Sequence, residues 1–266
     1  SADVCPRDAC CFACCGRQPG APGPDGLALS CDRYPRNVLY ERQNTRFYGF
    51  ILNRGERGHY FHALINRLVV GIAGIQAFEK IRCWNIKNFG LSKSDANFQF
   101  IASVMKPYDI IVIQEVNASY SGSQAIAKLV NCLRKLGSDW DYAVSNPTIG
   151  KGIERYAYIW KKSVKLLGKP YLYTPFQYTI DREPYMATFV HQKDTFTIAN
   201  IHLVPKHKKP ELEIIQLYQL AALKNQHIVI AGDFNCPHFN TCFDKLYAYH
   251  FKHALLKTAT TLKMKP

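Results

Sequence analysis

Three segments of the chain end in side chains that could do acid–base and metal chemistry. They are Gln114-Glu115, Asn200-Ile201-His202 and Gly232-Asp233-Phe234-Asn235, and each follows a run typical of a buried strand. A carboxylate can hold Mg²⁺, a histidine can protonate a leaving oxygen, and an Asp with an Asn can position water and phosphate. Each segment alone also fits a strand-ending turn. The three together favour a site for metal-assisted cleavage of a phosphodiester.

The elements that must position these groups follow a regular pattern from residue 81 onward. Ser94 can cap a helix that runs to about Met105, a second helix spans about 123–136, and a third opens after Pro210. Strands are predicted at 81–86, 109–113, 142–145, 155–160, 185–190 and 195–201, and a last one precedes Gly232. Alternating helices and strands with hairpin-like strands in the middle indicate a mixed, layered α/β fold.

Composition indicates a globular chain that attracts polyanions. The chain has 266 residues, 47% of them hydrophobic, and a net charge of +14. The positive electrostatic field of this charge favours nucleic acid, anionic lipid headgroups or phosphorylated sugars as partners, although a solvated lysine-rich surface gives the same net charge.

No stretch reaches the roughly 18 to 20 apolar residues that cross a bilayer, and residues 68–78 read as a buried segment. The start of the chain shows no secretory signal.

A change in basic residues near residue 80 divides the chain into two parts. Residues 1–80 hold nine Arg and one Lys, whereas residues 81–266 hold four Arg and twenty Lys. The first part also contains six of the ten cysteines and a Pro- and Gly-rich stretch at 18–26. We predict a Cys- and Arg-rich, partly disordered N-terminal extension over 1–80, and a folded domain over 81–266. The cysteines could bind metal, form disulfides or be acylated, and no spacing favours one of these.

Six motifs between residue 81 and about 255 resemble the endonuclease/exonuclease/phosphatase superfamily, in the branch typified by pancreatic deoxyribonuclease I. Their order and spacing agree over roughly two-thirds of the chain. The resemblance implies a four-layer α/β sandwich of two packed mixed sheets with helices outside, and a site where strand ends meet loops. The motifs are Trp84-Asn85-Ile86-Lys87-Asn88-Phe89-Gly90, Ile113-Gln114-Glu115-Val116, Glu154-Arg155-Tyr156-Ala157, Arg182-Glu183-Pro184, Asn200-Ile201-His202 and Gly232-Asp233-Phe234-Asn235.

The resemblance implies a metal ligand set and a general acid. Glu115 would be the main ligand of Mg²⁺, with Mn²⁺ or Ca²⁺ as substitutes, and Asn85 would support it, because a hard dication prefers oxygen ligands. His202 matches the acid that protonates the leaving 3′ oxygen. Glu154 matches the carboxylate that binds this imidazole and favours its charged form.

The same resemblance implies three roles on the substrate side. Asp233 would orient or activate the attacking water, and Asn235 would hold the phosphate and its developing charge. Arg182 would bind the DNA backbone. Plain structural roles compete with these, since an asparagine such as Asn85 could satisfy loop backbone groups and Arg182 could pair with Glu183 or another acid.

One part of the family pattern is not found after Asn235. The resemblance implies a further Asp and then a Ser-Asp-His strand that supplies the base on the water side, but Asp244 is the one later acid and the chain ends at Pro266. We therefore expect a C-terminally incomplete sandwich that cleaves DNA weakly. Two explanations compete: the chain is a truncated or misassembled product of a nuclease gene, with that sheet edge left open, or residues 1–80 substitute for the missing strand in a catalytically weakened binder. The compositional change at residue 80 favours the first.

The leading function is Mg²⁺-dependent endonucleolytic hydrolysis of DNA by a monomer. Residues 81–266 carry 24 basic and 13 acidic residues, which together with Arg182 favours DNA over other substrates. Fold alone leaves open a phosphatase or phosphodiesterase of the same superfamily that acts on phosphorylated lipid headgroups. A non-catalytic nucleic-acid-binding protein on the nuclease scaffold is the alternative from another class. Secretion is common in this branch, and the compartment stays open.

Overall fold

The alternating apolar residues predicted as strands form two β-sheets in a computed structural model, which describes residues 47–52, 81–150, 152–191, 194–223, 227–237 and 239–253. These residues belong to one unit spanning Tyr40–Pro266. In chain order the strands of these described residues are β1 (Phe47–Leu52), β2 (Ile81–Phe89), β3 (Ile110–Val116), β4 (Trp140–Val144), β5 (Arg155–Lys161), β6 (Lys165–Leu172), β7 (Tyr185–His191), β8 (Asp194–His202), β9 (His227–Asp233) and β10 (Phe251–His253).

Both sheets mix parallel and antiparallel neighbours. The larger sheet has the order β10-β1-β9-β8-β7-β6, and the smaller has the order β2-β3-β5-β4. In the larger sheet β8 and β9 run parallel, so both strands end at the same edge. In the smaller sheet β2 and β3 run parallel, while β5 runs antiparallel to β3 and therefore starts at the edge where β3 ends. In each sheet, the strand ends that carry the predicted motifs therefore lie side by side at one end of the strands.

Four helices lie among the described residues, and they cover the outer faces of the sheets. They are α1 (Asp95–Met105), α2 (Tyr120–Lys135), α3 (Glu211–Ile214) and α4 (Asp244–Ala248). Ser94 caps α1 as predicted, because its hydroxyl accepts from the backbone N–H of Asn97. Helix α2 begins three residues before its predicted start. The segment after Pro210 forms one α-helical turn and then a 3-10 turn at Leu217–Ala222.

Three clusters of buried apolar residues define four layers and confirm the predicted α/β sandwich. The first cluster lies between α1, α2 and the smaller sheet, and includes Phe98, Leu129, Ile111 and Ile159. The second lies between the two sheets, and includes Val112, Tyr158, Phe189 and Val229. The third lies between the larger sheet and the segments after residue 210, and includes Ile201, Leu217, Ile230 and Phe243. Burial on both faces of each sheet stabilises this arrangement.

The sheet edge beside β9 is covered, which corrects the expectation that it stays open. Strand β1 pairs antiparallel along β9 from Phe47, opposite Asp233, to Leu52, opposite Ile228. Strand β10 then pairs with β1. A strand from the first 80 residues therefore satisfies the backbone groups that an open edge would leave exposed.

Strand β6 is an element that the sequence pattern did not predict. It contains Gly168, at a φ of 72°, and Pro170, and both interrupt the alternation that marks a strand. As the outer strand of its sheet it tolerates both residues.

Several sequence-based predictions concern residues outside the described ranges. The N-terminal cysteines, the stretch at 18–26, the apolar segment at 68–78 and the end of the chain after residue 253 are among them. Within the described ranges, none of the helices has the length and apolarity needed to span a bilayer.

Candidate active site

The two opposed inner sheet faces end in polar side chains at one edge of the sandwich. Along β5, Tyr156 and Tyr158 point into the core between the sheets, and Glu154 continues this face. By the same alternation His202 continues the inner face of β8 and Asp233 that of β9. Asn85 does the same on β2. Because the two sheets face each other, these four side chains converge where the apolar core stops.

The side chain of Glu115 reaches this group because the regular strand alternation breaks at the end of β3. Its alternation along β3 would point it toward the helices, on the side of Ile111 and Ile113. Instead Glu115 has a φ of 58°, within an irregularity of the pairing between Ile113 and Val116. Bulges and left-handed non-glycine residues are enriched at functional sites, where they redirect side chains. The carboxylate accepts from Nδ2 of Asn85 at 2.8 Å and from the backbone N–H of Asn88 at 3.1 Å.

The imidazole of His202 is the centre of the group. Its Nδ1 lies 3.0 Å and 2.9 Å from the two carboxylate oxygens of Glu154. Its Nε2 lies 3.9 Å from Oε1 of Glu115 and 3.9 Å from Oδ2 of Asp233. Burial alone would lower the pKa of His202, but the charge of Glu154 and its hydrogen bond raise the pKa above its usual range. The ring is therefore biased toward the protonated form.

Asp233 is a buried carboxyl that lies beside His202 in the parallel pairing of β8 and β9. Burial raises its pKa, although His202 and the donated N–H groups of Asn85 and Asn235 act in the opposite direction. Asn85 donates through Nδ2 to Oδ2 of Asp233 at 3.1 Å as well as to Glu115. One amide thus holds both carboxylates toward the same point.

Asn235 and Arg182 meet at the backbone that follows the histidine. Nδ2 of Asn235 donates to the carbonyl of Leu203 at 2.9 Å, and its backbone N–H donates to Asp233 at 3.1 Å. Asn235 also has a left-handed φ of 49°. The guanidinium of Arg182 donates to the carbonyls of His202 and Leu203 at 2.8 Å and 2.9 Å, and its Nε lies 3.7 Å from Glu154. Arg182 is only 9% exposed, so it supports the site from inside.

Two groups that support the site were not singled out from the sequence. The hydroxyl of Tyr156 accepts from the backbone N–H of His202 at 3.1 Å. The carboxylate of Glu213 accepts from the backbone N–H groups of Asp181 and Val204, at 2.6 Å and 2.8 Å, and so ties the loop before Arg182 to the segment after His202. The alternation of β5, which places Tyr156 beside Glu154, is a signal that could have identified the tyrosine.

A buried amide pair joins the two sheets one layer below the site. Nε2 of Gln114 donates to Oδ1 of Asn200 at 2.6 Å, and Nδ2 of Asn200 donates to the carbonyl of Ile113 at 3.0 Å. Both amide side chains are fully buried. Since β3 and β8 belong to different sheets, this pair sets how the strand ends face each other.

The donors at the site are compatible with a hard divalent cation. Glu115, Glu154 and Asp233 bring three carboxyl groups together, and the side chains of Glu115, Asp233 and Asn85 supply oxygens of the kind that Mg²⁺ prefers. Asn85 presents Nδ2 to both carboxylates. Its Oδ1 would therefore become a metal ligand only after the side-chain amide flips. Within the described part of the chain, no three His, Cys, Asp or Glu side chains already form a metal-binding cluster.

Comparison with known proteins gives relatives of one family. Deoxyribonuclease-1-like 1 from Chlorocebus aethiops is 30% identical over 190 residues, which cover 66% of this chain and 61% of that protein. Deoxyribonuclease-1 from Oryctolagus cuniculus is 29% identical over 176 residues, covering 60% of this chain and 61% of that protein. The chain thus spans about three-fifths of the length of these relatives.

A solved structure of an endonuclease/exonuclease/phosphatase family protein from Leptotrichia buccalis is 16% identical. It covers 63% of this chain and 72% of its own, with a TM-score of 0.44. The pattern of the Endonuclease/Exonuclease/phosphatase family matches residues 83–247, which is more than half of the chain. The chain therefore belongs to this family, in its deoxyribonuclease I-like branch.

Proposed function

We propose that this chain hydrolyses phosphodiester bonds of DNA with a divalent cation, either Mg²⁺ or, in its place, Mn²⁺ or Ca²⁺. The position of His202 carries the proposal. One ring nitrogen is bound by Glu154, and the other lies 3.9 Å from carboxylate oxygens of both Glu115 and Asp233. The deoxyribonuclease names of the relatives and the net charge of +14 support DNA as the substrate.

His202 acts as the general acid. Its raised pKa favours the protonated ring, and Glu154 holds the ring through Nδ1, so the proton at Nε2 faces the leaving oxygen. The backbone on each side of the ring is also fixed. Tyr156 binds the N–H of His202 and Arg182 binds its carbonyl, which limits rotation of the imidazole away from the reacting bond.

Asp233 and Asn235 act on the attacking water and on the phosphate oxygens. Burial raises the pKa of Asp233 and makes it a stronger base toward an attacking water molecule. Asn235 contributes its side-chain amide, held near Leu203, to the phosphate oxygens that gain charge in the transition state. Asp233 ends β9 directly beside the end of β8, and Asn235 follows two residues later.

Arg182 has a positioning role in this proposal. Its Nε and Nη2 are bound to the carbonyls of His202 and Leu203, so a phosphate contact falls to Nη1, which makes no bond to any described residue. The guanidinium thereby orients the acid and offers the two N–H donors of Nη1 to the DNA backbone.

Glu115 and Asn85 would hold the cation, with Asp233 close to them. A bound Mg²⁺ supplies charge neutralisation and polarises the phosphate for attack. The excess of carboxylates around His202 gives the cation a favourable electrostatic environment. The metal ligands Glu115 and Asn85 and the general acid His202 would therefore act on the same phosphate group.

Nicking of supercoiled plasmid, with Mg²⁺ and with chelator, tests the proposal. We expect His202→Asn to lower the rate by roughly 10² to 10⁴-fold, which is typical for the loss of an acid–base group. The matched control is His250→Asn, in an exposed turn where φ is 66° and asparagine is tolerated. His250 precedes Phe251, which pairs with Leu52 far from the end of β9.

Other outcomes would replace the proposal. Binding of DNA without nicking, unaffected by Glu115→Gln, would indicate a non-catalytic nucleic-acid-binding protein. Turnover of phosphorylated lipid headgroups with no action on plasmid would indicate a phosphatase or phosphodiesterase of the same superfamily. The wild-type rate beside that of Deoxyribonuclease-1 from Oryctolagus cuniculus tests the separate prediction that cleavage is weak.

A further inference from the structure

A short basic turn follows the proposed general acid along the chain. Lys206–Lys208 form a 3-10 turn that Lys209 closes, and the side chains of these four residues are exposed. Among the described residues, no carboxylate forms an ion pair with any of these three lysines. The proposed roles of the site residues do not use this charge.

The turn is fixed to the site at its start. Leu203 receives hydrogen bonds from Arg182 and Asn235 at its carbonyl, and its N–H donates to the carbonyl of Asp233 at 2.9 Å. The N–H of Val204 donates to Glu213 at 2.8 Å. The turn therefore begins on backbone that the catalytic residues themselves hold in place.

The turn also has a defined shape of its own. The N–H of Lys208 donates to the carbonyl of Pro205 at 2.8 Å, and that of Lys209 donates to Lys206 at 3.1 Å. Lys209 has a φ of 60°, the left-handed conformation that a lysine seldom adopts. Buried Pro210 then closes the segment. Three lysines are thus presented on a constrained backbone rather than on a free loop.

The distance from the acid suits a polymeric substrate. Lys206 lies four positions after His202, so their Cα atoms lie no more than about 14 Å apart. DNA carries one phosphate per about 3.4 Å of helix axis in each strand, so this reach covers phosphates close to the scissile one. A small phosphate ester bound at His202 has no second phosphate to place there.

We propose that Lys206, Lys208 and Lys209 bind nucleic-acid phosphates that flank the scissile bond, and that the site therefore prefers polynucleotides over small phosphodiesters. This inference rests on the proposed function. An anionic membrane is less suited to the turn, because surface binding needs apolar side chains beside the charges and the turn itself presents none.

The test removes the three charges and measures DNA binding without cleavage. The variant Lys206→Ser, Lys208→Ser, Lys209→Asn uses asparagine where φ is positive. Binding of a duplex oligonucleotide is measured with chelator, in the His202→Asn background, across a range of salt concentrations. We expect weaker binding and a slope of log K against log salt that is shallower by roughly 1 to 3, since each phosphate contact contributes about 0.9.

The matched control removes three other exposed lysines. Lys135→Ser, Lys162→Ser and Lys165→Ser change the net charge equally, at the C-terminal end of α2 and around the connection from β5 to β6, away from the start of β5. Equal loss of DNA binding in both triple variants would mean that binding depends on net charge and not on the position of the lysines. This result would overturn the proposal. Arginine at the three turn positions should restore binding.

Two further measurements separate this inference from the function on which it rests. If the wild type cleaves, the turn variant should lose plasmid nicking by at least tenfold and keep hydrolysis of bis(4-nitrophenyl) phosphate within twofold. If the wild type does not cleave, the proposed function fails while the binding test still decides the role of the turn. Loss of binding to phosphatidylserine vesicles with unchanged DNA binding would show a membrane contact instead and overturn the proposal.

Discussion

Glu154 binds the imidazole of His202 through both carboxylate oxygens, at 3.0 Å and 2.9 Å from Nδ1. The two residues lie on different sheets, Glu154 before β5 and His202 at the end of β8. Their contact exists because the two inner sheet faces meet at this edge. It gives the histidine a fixed orientation and a raised pKa in one interaction.

Glu154→Gln should lower the pKa of His202. Without the carboxylate charge, burial and Arg182 dominate, and both act to lower the pKa of the ring. A general acid is active while protonated, so activity is lost as pH rises through its pKa. The alkaline limb of the pH–rate profile should therefore move to lower pH in the variant. Histidine titration by NMR measures the same shift without turnover, with exposed His250 as the internal control. An unchanged His202 titration would contradict the assignment.

Mg²⁺ should stabilise the wild type against thermal unfolding, because a ligand that binds the folded state alone shifts the equilibrium toward it. Glu115→Gln removes the carboxylate that Asn85 and Asn88 hold at the site, so the stabilisation should be largely lost. Asp139→Asn, an exposed carboxylate elsewhere, should retain it. The readout is the melting temperature as a function of Mg²⁺ concentration. Equal stabilisation of all three proteins would place the cation elsewhere.

Asn200→Ala should lower the free energy of unfolding by on the order of 3 kcal/mol. The change leaves the amide of Gln114 and the carbonyl of Ile113 without their partner in a fully buried place, and each unsatisfied group costs about 1 to 3 kcal/mol. Urea denaturation measures the loss. Asn146→Ala, at an exposed position, should change the stability by less than about 0.5 kcal/mol.

Gly232→Ala should prevent the normal pairing of β8 and β9. A Cβ at Gly232 would lie 1.9 Å from the backbone oxygen of Ile201, so one strand would have to move beside Asp233. Gly137→Ala is the comparison, since no atom lies within 4 Å of its added Cβ and only the left-handed φ of 96° opposes it. We expect Gly137→Ala to cost about 1 to 2 kcal/mol and Gly232→Ala to cost far more, by urea denaturation. Equal costs would contradict the close approach.

Glutathione disulfide should join Cys236 to Cys242. Their Sγ atoms lie 3.7 Å apart and both side chains are buried. The two thiols lose two hydrogens to form the bond, and glutathione disulfide is reduced to two molecules of glutathione. The reaction should be slow, because burial raises the pKa of the Cys242 thiol and thiolate is the reacting form. Peptide mapping reports the link. Its absence in wild type, or its presence in Cys242→Ser, would refute the prediction.

Much of the fold could be predicted because its local signals are strong. Ser94 has the hydroxyl that caps α1, and the apolar run before Gly232 forms β9 as expected. Strand β6 could not be predicted, since Gly168 and Pro170 break its alternation and only an outer position in the sheet tolerates them. That residues 1–80 supply a strand at the edge beside β9 was one of two alternatives, and the sequence could not choose it, because the pairing joins residues about 180 positions apart and no local pattern reports such a contact.

The sequence by itself determined which residues share a strand face. The period of two places Glu154 with the buried tyrosines of β5, and Asp233 with the inner residues of β9. Only the tertiary structure decided that these faces oppose each other, that Glu115 turns toward them at a positive φ, and that Arg182 is buried behind His202. The physical reason is that side-chain alternation is a local property, whereas the meeting of two sheets and the backbone conformation at a strand end depend on long-range packing.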